Sequence, residues 1–160
     1  MALEEEIILL LKQQHKTFCT AESCTGGEIA ARLTKIAGCS AVFKGGAVTY
    51  CNEAKHNVLG VATQTLEKYT ELSLQTVKEM AEGALKLYNT DFAASVSGVA
   101  GPDGGTIENP VGTVYVGFAQ KNKSTITKKY NFNSINRLEN INSTVNTVFE
   151  ILKSKLLEAC

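Results

Sequence analysis

Apolar and polar residues follow two different periods along the chain, and each period predicts a different kind of element. A helical repeat of apolar residues, such as Ile29, Leu33 and Ile36, indicates an amphipathic helix. This repeat predicts helices over residues 3–14, 25–36, 52–60, 63–69, 73–89 and 136–157. Short apolar or alternating runs predict strands over residues 17–21, 41–50, 92–98, 111–119 and 124–132.

The order of these elements favours an α/β fold. Helices separate the first three predicted strands, which is typical of parallel strands joined by crossover helices. The last two strands are joined by a short polar turn and predict an antiparallel hairpin. We therefore expect a mostly parallel sheet with helices on both faces and an antiparallel edge, in a single domain over residues 1–160. Polar residues at three helix starts are predicted to be N-caps: Asn52, Thr63 and Ser73.

Composition narrows the class of protein. The 160 residues are 44% hydrophobic and 20% charged, which is typical of a globular domain. The formal net charge is zero, and this argues against a broad nucleic-acid-binding surface. The acidic N-terminus does not resemble a signal peptide, and no apolar run approaches the roughly 18 residues of a membrane span. We therefore expect a cytoplasmic protein that binds neither nucleic acid nor membrane.

The cysteines argue against a disulfide framework and against a metal site. Their number is odd, and no pair has the spacing of a zinc ligand pair. They stand at positions 19, 24, 39, 51 and 160. Reduced thiols are expected, together with no bound metal and no cofactor.

Polar residues and glycines follow the first three predicted strands directly. The first strand ends at "AESCTGG", the second at "TYCNEAK" and the third at "SVSGVAGPDGG". Ligands of open α/β sheets bind outside the carboxyl ends of the parallel strands. The sequence therefore predicts that these three segments share one site.

The first segment offers a nucleophile beside a helix start. Ser23 is the candidate, and Cys24 is the alternative because a thiol at a helix N-terminus can be activated. Main-chain amides from Thr25 to Gly27, with Gly26 between them, are expected to supply an oxyanion hole. The alternative reading is structural, with Ser23 or Thr25 acting only as a helix cap.

The second and third segments offer a base and a close-fitting loop. Lys55 is predicted in the first turn of a helix, where the helix dipole disfavours an ammonium group. A lysine at this position is suited to act as a base, because a base must first lose its proton. The alternative is that Lys55 is a solvated lysine without a catalytic role. Tyr50 ends the preceding strand, and Ser97 begins the glycine-rich third segment. The only histidines, at positions 15 and 56, fit a triad poorly, so a serine–lysine pair is favoured.

At these residues the chain resembles the CinA C-terminal domain family, whose stand-alone members are nicotinamide mononucleotide (NMN) amidases. The matching stretches are "TAESCTGG", "AGCSAVFKGGAVTYCNEAKHNVLGV", "EMAEGAL" and "SVSGVAGPDGGTIENPVGTVYVGFA". The resemblance implies a three-layer α/β/α sandwich that forms a homo-oligomer. It also implies hydrolysis of the NMN carboxamide to nicotinic acid mononucleotide and ammonia, with NMN as the small-molecule partner.

The resemblance also implies residue roles. The family's nucleophile falls on Ser23 and its lysine base on Lys55. Its tyrosine falls on Tyr50, which is expected to orient the lysine or to relay its proton. The match weakens after residue 120, where the family's Gly-Asp-Arg stretch is represented only by Arg137. The residues expected to bind substrate are Glu22, Thr25, Gly26, Gly27, Ser97, Gly98, Gly101 and Arg137.

Two other functions remain open from the sequence. One is a non-catalytic nucleotide-binding or regulatory protein that keeps the cleft without turnover. The other is an amidase that acts on a related pyridine amide.

Overall fold

The computed structural model describes residues 1–159, which form six α-helices and five β-strands. In chain order these elements are α1 Leu3–Gln13, β1 Phe18–Glu22, α2 Glu28–Thr34, β2 Phe43–Val48, α3 Asn52–Leu59, α4 Thr63–Tyr69, α5 Leu74–Tyr88, β3 Phe92–Gly98, β4 Thr113–Gln120, β5 Ile126–Asn131 and α6 Arg137–Glu158. Every predicted helix and strand is present, and most ends fall within three residues of the predicted bounds.

The five strands form one mixed sheet in the order β2-β1-β3-β4-β5. Strand β1 pairs in parallel with both β2 and β3, while β4 and β5 complete the sheet as an antiparallel edge. The predicted α/β class is therefore confirmed. Because β1, β2 and β3 run in the same direction, their carboxyl ends meet at one edge of the sheet.

Helices cover both faces of the sheet and bury two apolar clusters. On one face α1, α2 and α6 pack against the sheet, and on the other α5 packs with α3 and α4. Strand β3 divides its side chains between the faces, because Phe92, Ala94 and Val96 join the first cluster while Ala93 joins the second. Burying each large apolar side chain contributes about 1.5–3 kcal/mol.

Helix α5 lies unusually close to the sheet. A Cβ atom at Gly117 of β4 would collide with the main-chain carbonyl of Val77 in α5. The same carbonyl accepts a hydrogen bond of 2.5 Å from the hydroxyl of Ser95 in β3. These contacts fix the start of α5, and with it the turn that leads into the site described below.

The helix starts agree with the predicted caps only in part. The hydroxyl of Ser73 caps α5 by accepting the amide of Thr76 at 3.1 Å, as predicted. Asn52 and Thr63 are instead the first helical residues of α3 and α4, and neither helix has a side-chain cap. The predictions for these two residues are wrong by one position, because the cap is the preceding residue in extended conformation. No helix in residues 1–159 is long and apolar enough to cross a membrane.

Candidate active site

A cavity of about 470 Å³ opens at the sheet edge where β1, β2 and β3 end. Residues from all three predicted segments line it together. They include Ser23, Cys24, Tyr50, Lys55, Ser97, Gly98 and Gly101. The three strand ends therefore lie together, as their order in the chain predicts.

Ser23 extends β1 by one step and then turns the chain into the cavity. Its amide donates to the Val96 carbonyl at 3.1 Å, which continues the β1–β3 ladder beyond the strand. Its carbonyl accepts the Gly26 amide at 3.0 Å and closes a tight turn. The Ser23 side chain is nearly buried and lines the cavity, and these two main-chain hydrogen bonds hold it in place.

The carboxylate of Glu22 caps the N-terminus of helix α2. It accepts the amides of Ile29 at 2.9 Å and Ala30 at 3.1 Å, and also the Thr25 hydroxyl at 2.6 Å. A buried negative charge at a helix N-terminus is favourable because it meets the positive end of the helix dipole. Glu22 is 1% exposed and is not among the lining residues. In this structure the carboxylate supports the turn, and its contact with substrate stays a prediction.

The turn after Ser23 also differs from its predicted role. Thr25, Gly26 and Gly27 do not line the cavity, and the Gly26 amide is already bonded within the turn. The two glycines have φ values of +60° and +101°, which a right-handed helix cannot contain, so α2 begins only at Glu28. The Gly26 amide is therefore not available to an oxyanion in this structure, whereas substrate binding by Thr25, Gly26 and Gly27 stays a prediction. The capping alternative for Ser23 and Thr25 is also wrong, since α2 has no such cap.

Lys55 reaches from α3 to the Ser23 side chain. Its Nζ lies 3.0 Å from the Ser23 Oγ and donates a second hydrogen bond of 3.0 Å to the Thr49 carbonyl. The residue is 1% exposed. Burial lowers the pKa of Lys55, because desolvation disfavours the ammonium form, while the nearby Glu71 carboxylate acts in the opposite direction. A serine hydroxyl and a lysine of lowered pKa in direct contact can act as nucleophile and base.

Cys24 also lines the cavity but is chemically unlike an activated thiol. Burial raises its pKa to about 12, so almost none of it is thiolate at neutral pH. The thiol packs against the apolar cluster on the α2 side of the sheet. The geometry therefore favours Ser23 over Cys24 as the nucleophile.

Tyr50 lies at the cavity mouth and contacts Arg137 rather than Lys55. The Tyr50 hydroxyl accepts a hydrogen bond of 2.8 Å from the Arg137 guanidinium, which also donates to the Gly101 carbonyl at 2.8 Å. This bridge joins the end of β2, the start of α6 and the loop after β3. The expectation that Tyr50 orients or relays to Lys55 is corrected, because the Thr49 carbonyl holds the amine instead.

Residues of the third segment also line the cavity. Ser97 and Gly98 lie at the end of β3, and Gly101 follows in the loop. Further lining residues lie within the second and third predicted segments but were not singled out from the sequence: Cys51, Asn52, Val99, Ala100, Asp103 and Gly104. Sequence reasoning missed Glu71 and Leu72, because they stand in the turn between α4 and α5 and belong to no recognisable motif.

The charged side chains of the cavity balance one another. Lys55 and Arg137 supply positive charge, while Glu71 and Asp103 supply negative charge. No group of three or more histidine, cysteine or acidic side chains in the described part of the chain is arranged to hold a metal ion. The functional groups that line the cavity include a serine hydroxyl, a lysine amine and the flanking charged side chains.

Comparison with known proteins identifies the family. The family model of the CinA C-terminal domain matches residues 1–156 of the sequence. The chain belongs to the CinA C-terminal domain family. A nicotinamide-nucleotide amidohydrolase PncC from Enterobacter agglomerans is 53% identical over 130 residues, which cover 81% of this chain and 79% of that protein. A CinA-like protein from Endomicrobium trichonymphae is 51% identical over 148 residues, which cover 92% of this chain and 34% of that protein.

Solved structures of CinA-family proteins share the same architecture. The competence/damage inducible protein CihA from Agrobacterium tumefaciens aligns with a TM-score of 0.92 and 43% identity, over 95% of this chain and 92% of that chain. A CinA superfamily protein from Klebsiella pneumoniae aligns with a TM-score of 0.92 and 34% identity, over 98% of this chain and 96% of that chain. The chain spans about a third of the length of the first curated CinA-type relatives it matches.

Proposed function

We propose that the chain is a nicotinamide-nucleotide amidase that hydrolyses the carboxamide of NMN. The contact of 3.0 Å between the Ser23 Oγ and the Lys55 Nζ carries this proposal, because it joins a nucleophile to a base inside a cavity. The similarity to a PncC amidohydrolase over most of that protein's length supports the substrate class. A cavity of about 470 Å³ is within the usual range for a small-molecule ligand of about 300–1,000 Å³.

The first chemical step forms an ester on Ser23. Uncharged Lys55 takes the hydroxyl proton while the Ser23 Oγ bonds to the carboxamide carbon. The tetrahedral intermediate then collapses, the carbon–nitrogen bond breaks, and Lys55 returns the proton to the departing nitrogen as ammonia leaves. The lowered pKa of Lys55 supports this role, because a protonated amine could not accept the proton.

The second step returns the enzyme to its starting state. Lys55, uncharged again, takes a proton from a water molecule that attacks the ester carbon, and the proton then passes to the Ser23 Oγ. The balanced reaction consumes one water for each NMN and releases nicotinic acid mononucleotide and ammonia. Ser97 is nearly buried in the same cavity, and in this proposal its hydroxyl donates to the oxyanion.

The cavity mouth suits the nucleotide portion of the substrate. Arg137 presents a guanidinium group beside Tyr50 and Gly101, and guanidinium groups recognise phosphate oxygens well. We assign Arg137 and Tyr50 to substrate binding, with Gly98 and Gly101 shaping the wall. The proposal therefore keeps Tyr50 at the site but gives it a binding role.

Ammonia release from NMN tests this function directly. Wild type is expected to release ammonia, and Ser23→Ala is expected to lose at least about a thousandfold in kcat/KM. Cys24→Ala is the matched control, since it removes the adjacent side chain of the same turn and should retain activity. Full activity in Ser23→Ala, or loss confined to Cys24→Ala, would contradict the assignment.

A substrate panel separates the remaining functions. NMN, nicotinamide riboside and nicotinamide share the amide and differ in their phosphate and sugar. An NMN amidase should strongly prefer NMN over the other two. Equal rates with the smaller amides would indicate a different pyridine amidase, and tight NMN binding without ammonia would indicate a regulatory nucleotide-binding protein.

A further inference from the structure

The carboxylate of Glu71 lies in the cavity and has no part in the proposed chemistry. The residue is partly buried and lines the cavity together with Ser23 and Lys55. Within residues 1–159 it takes part in no hydrogen bond or ion pair. A negative charge held there without a direct partner is available to a ligand.

The turn that carries Glu71 is tightly held. It joins α4 to α5, and Thr70 adopts a left-handed φ of 65°. The Thr70 carbonyl accepts the Ser73 hydroxyl at 3.2 Å and the Thr76 hydroxyl at 2.6 Å. The Thr70 hydroxyl accepts the Leu72 amide at 3.2 Å. Glu71 is therefore placed by a bonded turn at the fixed end of α5.

Glu71 disfavours the uncharged form of Lys55, which is the form that the proposed mechanism needs as a base. Its negative charge favours the ammonium form and so raises the pKa of Lys55, against the lowering effect of burial. The charged and titratable groups that face this space are Cys24, Tyr50, Cys51, Glu71, Asp103 and Arg137. Of these, Glu71 has the largest effect on Lys55.

We propose that Glu71 is the counter-charge for a cationic pyridinium amide, and that the bound cation drives the proton off Lys55. This inference rests on the proposed function and adds a specificity-determining residue to it. The ring nitrogen of NMN carries a positive charge, whereas the ring of reduced NMN is uncharged. Glu71 therefore distinguishes the oxidised nucleotide from the reduced one.

The activation follows from the signs of the charges. The positive charge of a pyridinium ring beside Glu71 offsets the effect of the carboxylate at Lys55. The ring therefore disfavours the ammonium form and lowers the pKa of Lys55. The released proton passes to solvent, and Lys55 becomes a base only when a cationic substrate is in place. An uncharged amide leaves Lys55 protonated more often and reacts slowly.

The pH dependence of turnover gives the first test. The acid limb of kcat/KM reports the free enzyme, and that of kcat reports the enzyme–substrate complex. For wild type with NMN, we expect the kcat limb to lie at lower pH than the kcat/KM limb. In Glu71→Gln both limbs should move to lower pH, because the carboxylate no longer favours the ammonium form of Lys55. Glu67→Gln, which changes an exposed carboxylate on α4 outside the cavity, should leave both limbs in place.

Binding selectivity gives the second test and does not depend on turnover. Ser23→Ala and Ser23→Ala/Glu71→Gln are titrated with NMN and with reduced NMN, which differ in ring charge. We expect the preference for NMN over reduced NMN to fall about three- to tenfold when Glu71 becomes Gln, since the charge pair lies in a partly solvated cavity. The same substitution at Glu67 should not change the preference.

The outcomes separate this inference from the function on which it rests. If wild type releases ammonia but Glu71→Gln keeps the wild-type pH limbs and ligand preference, the role of Glu71 is overturned and the amidase stands. If wild type releases no ammonia from NMN, the amidase proposal and this inference fail together. A lower preference in Glu71→Gln combined with a shifted kcat/KM limb supports both.

Discussion

Replacing Glu22 with alanine should loosen the turn that presents Ser23. The Glu22 carboxylate is the acceptor for the main-chain amides of Ile29 and Ala30 and for the Thr25 hydroxyl. Within residues 1–159 no other side chain caps helix α2, whose N-cap residue is a glycine. The Thr20 hydroxyl also donates to this carboxylate, at 3.4 Å, so the substitution leaves four donors without their acceptor beneath the nucleophile.

The structure sets the size of the effect. A buried donor left without a partner costs about 1–3 kcal/mol, and loss of a helix cap costs about 0.5–2 kcal/mol. These two costs overlap, and water entering the space left by Glu22 would accept hydrogen bonds from some of the donors. We expect Glu22→Ala to lower the free energy of unfolding by about 3 kcal/mol. Glu22→Gln keeps the shape and one acceptor oxygen and should cost about 1 kcal/mol.

Urea denaturation of the two variants and wild type measures these values. Glu28→Gln is the matched control, because Glu28 lies in the first turn of the same helix without taking its amides. It should cost less than about 1 kcal/mol, which is the size of a helix-dipole interaction. Displacement of Ser23 should also lower kcat of Glu22→Ala about tenfold or more, with a smaller change in KM. A Glu22→Ala variant as stable as Glu28→Gln would refute the reasoning.

The cavity also supports predictions for Cys24, Cys51, Lys55, Tyr50 and Arg137. Cys24→Ala should keep at least about a third of wild-type kcat/KM, since the pKa of this thiol is about 12. Cys51 lines the cavity and is exposed, so iodoacetamide should inactivate wild type by alkylating it and should leave Cys51→Ala active. Lys55→Met should lose ammonia release about a hundredfold or more yet resist urea better at pH 7. Protonated Lys55 destabilises the fold because its pKa is lower folded than unfolded, so this gain should shrink as the pH rises towards 10.5. Tyr50→Phe and Arg137→Met should each raise KM for NMN about tenfold and change kcat less than fivefold. A large loss of kcat in Tyr50→Phe would instead indicate that Tyr50 relays a proton.

Local pattern was sufficient to predict the layers of the fold and the edge at which the site lies. Alternation along β3 places Phe92 and Ala93 on opposite faces, and the order of elements makes three strands parallel. The polar segments after those strands then had to meet at one edge. Lys55 follows from the same logic, because it comes one turn after a strand end. These features depend on periods and order, which a single sequence carries.

Other features depend on side-chain directions that the sequence does not carry. Glu22 ends a strand beside Ser23, yet its side chain points under the turn because two left-handed glycines delay α2. Tyr50 meets Arg137 only because α6 begins near the loop after β3, some distance along the chain. Glu71 stands in an ordinary polar turn, and only the packing of α5 on the sheet brings it to the cavity.

Covalent labelling of Ser23 tests the central claim, that Lys55 activates this hydroxyl. An arylsulfonyl fluoride reacts with an activated serine, and mass spectrometry locates the adduct without any assumption about the natural substrate. We predict labelling at Ser23 in wild type, at a rate that rises as Lys55 loses its proton, and a loss of at least about a hundredfold in Lys55→Met. Labelling at Cys24, or an equal rate at Ser23 in wild type and Lys55→Met, would contradict the account.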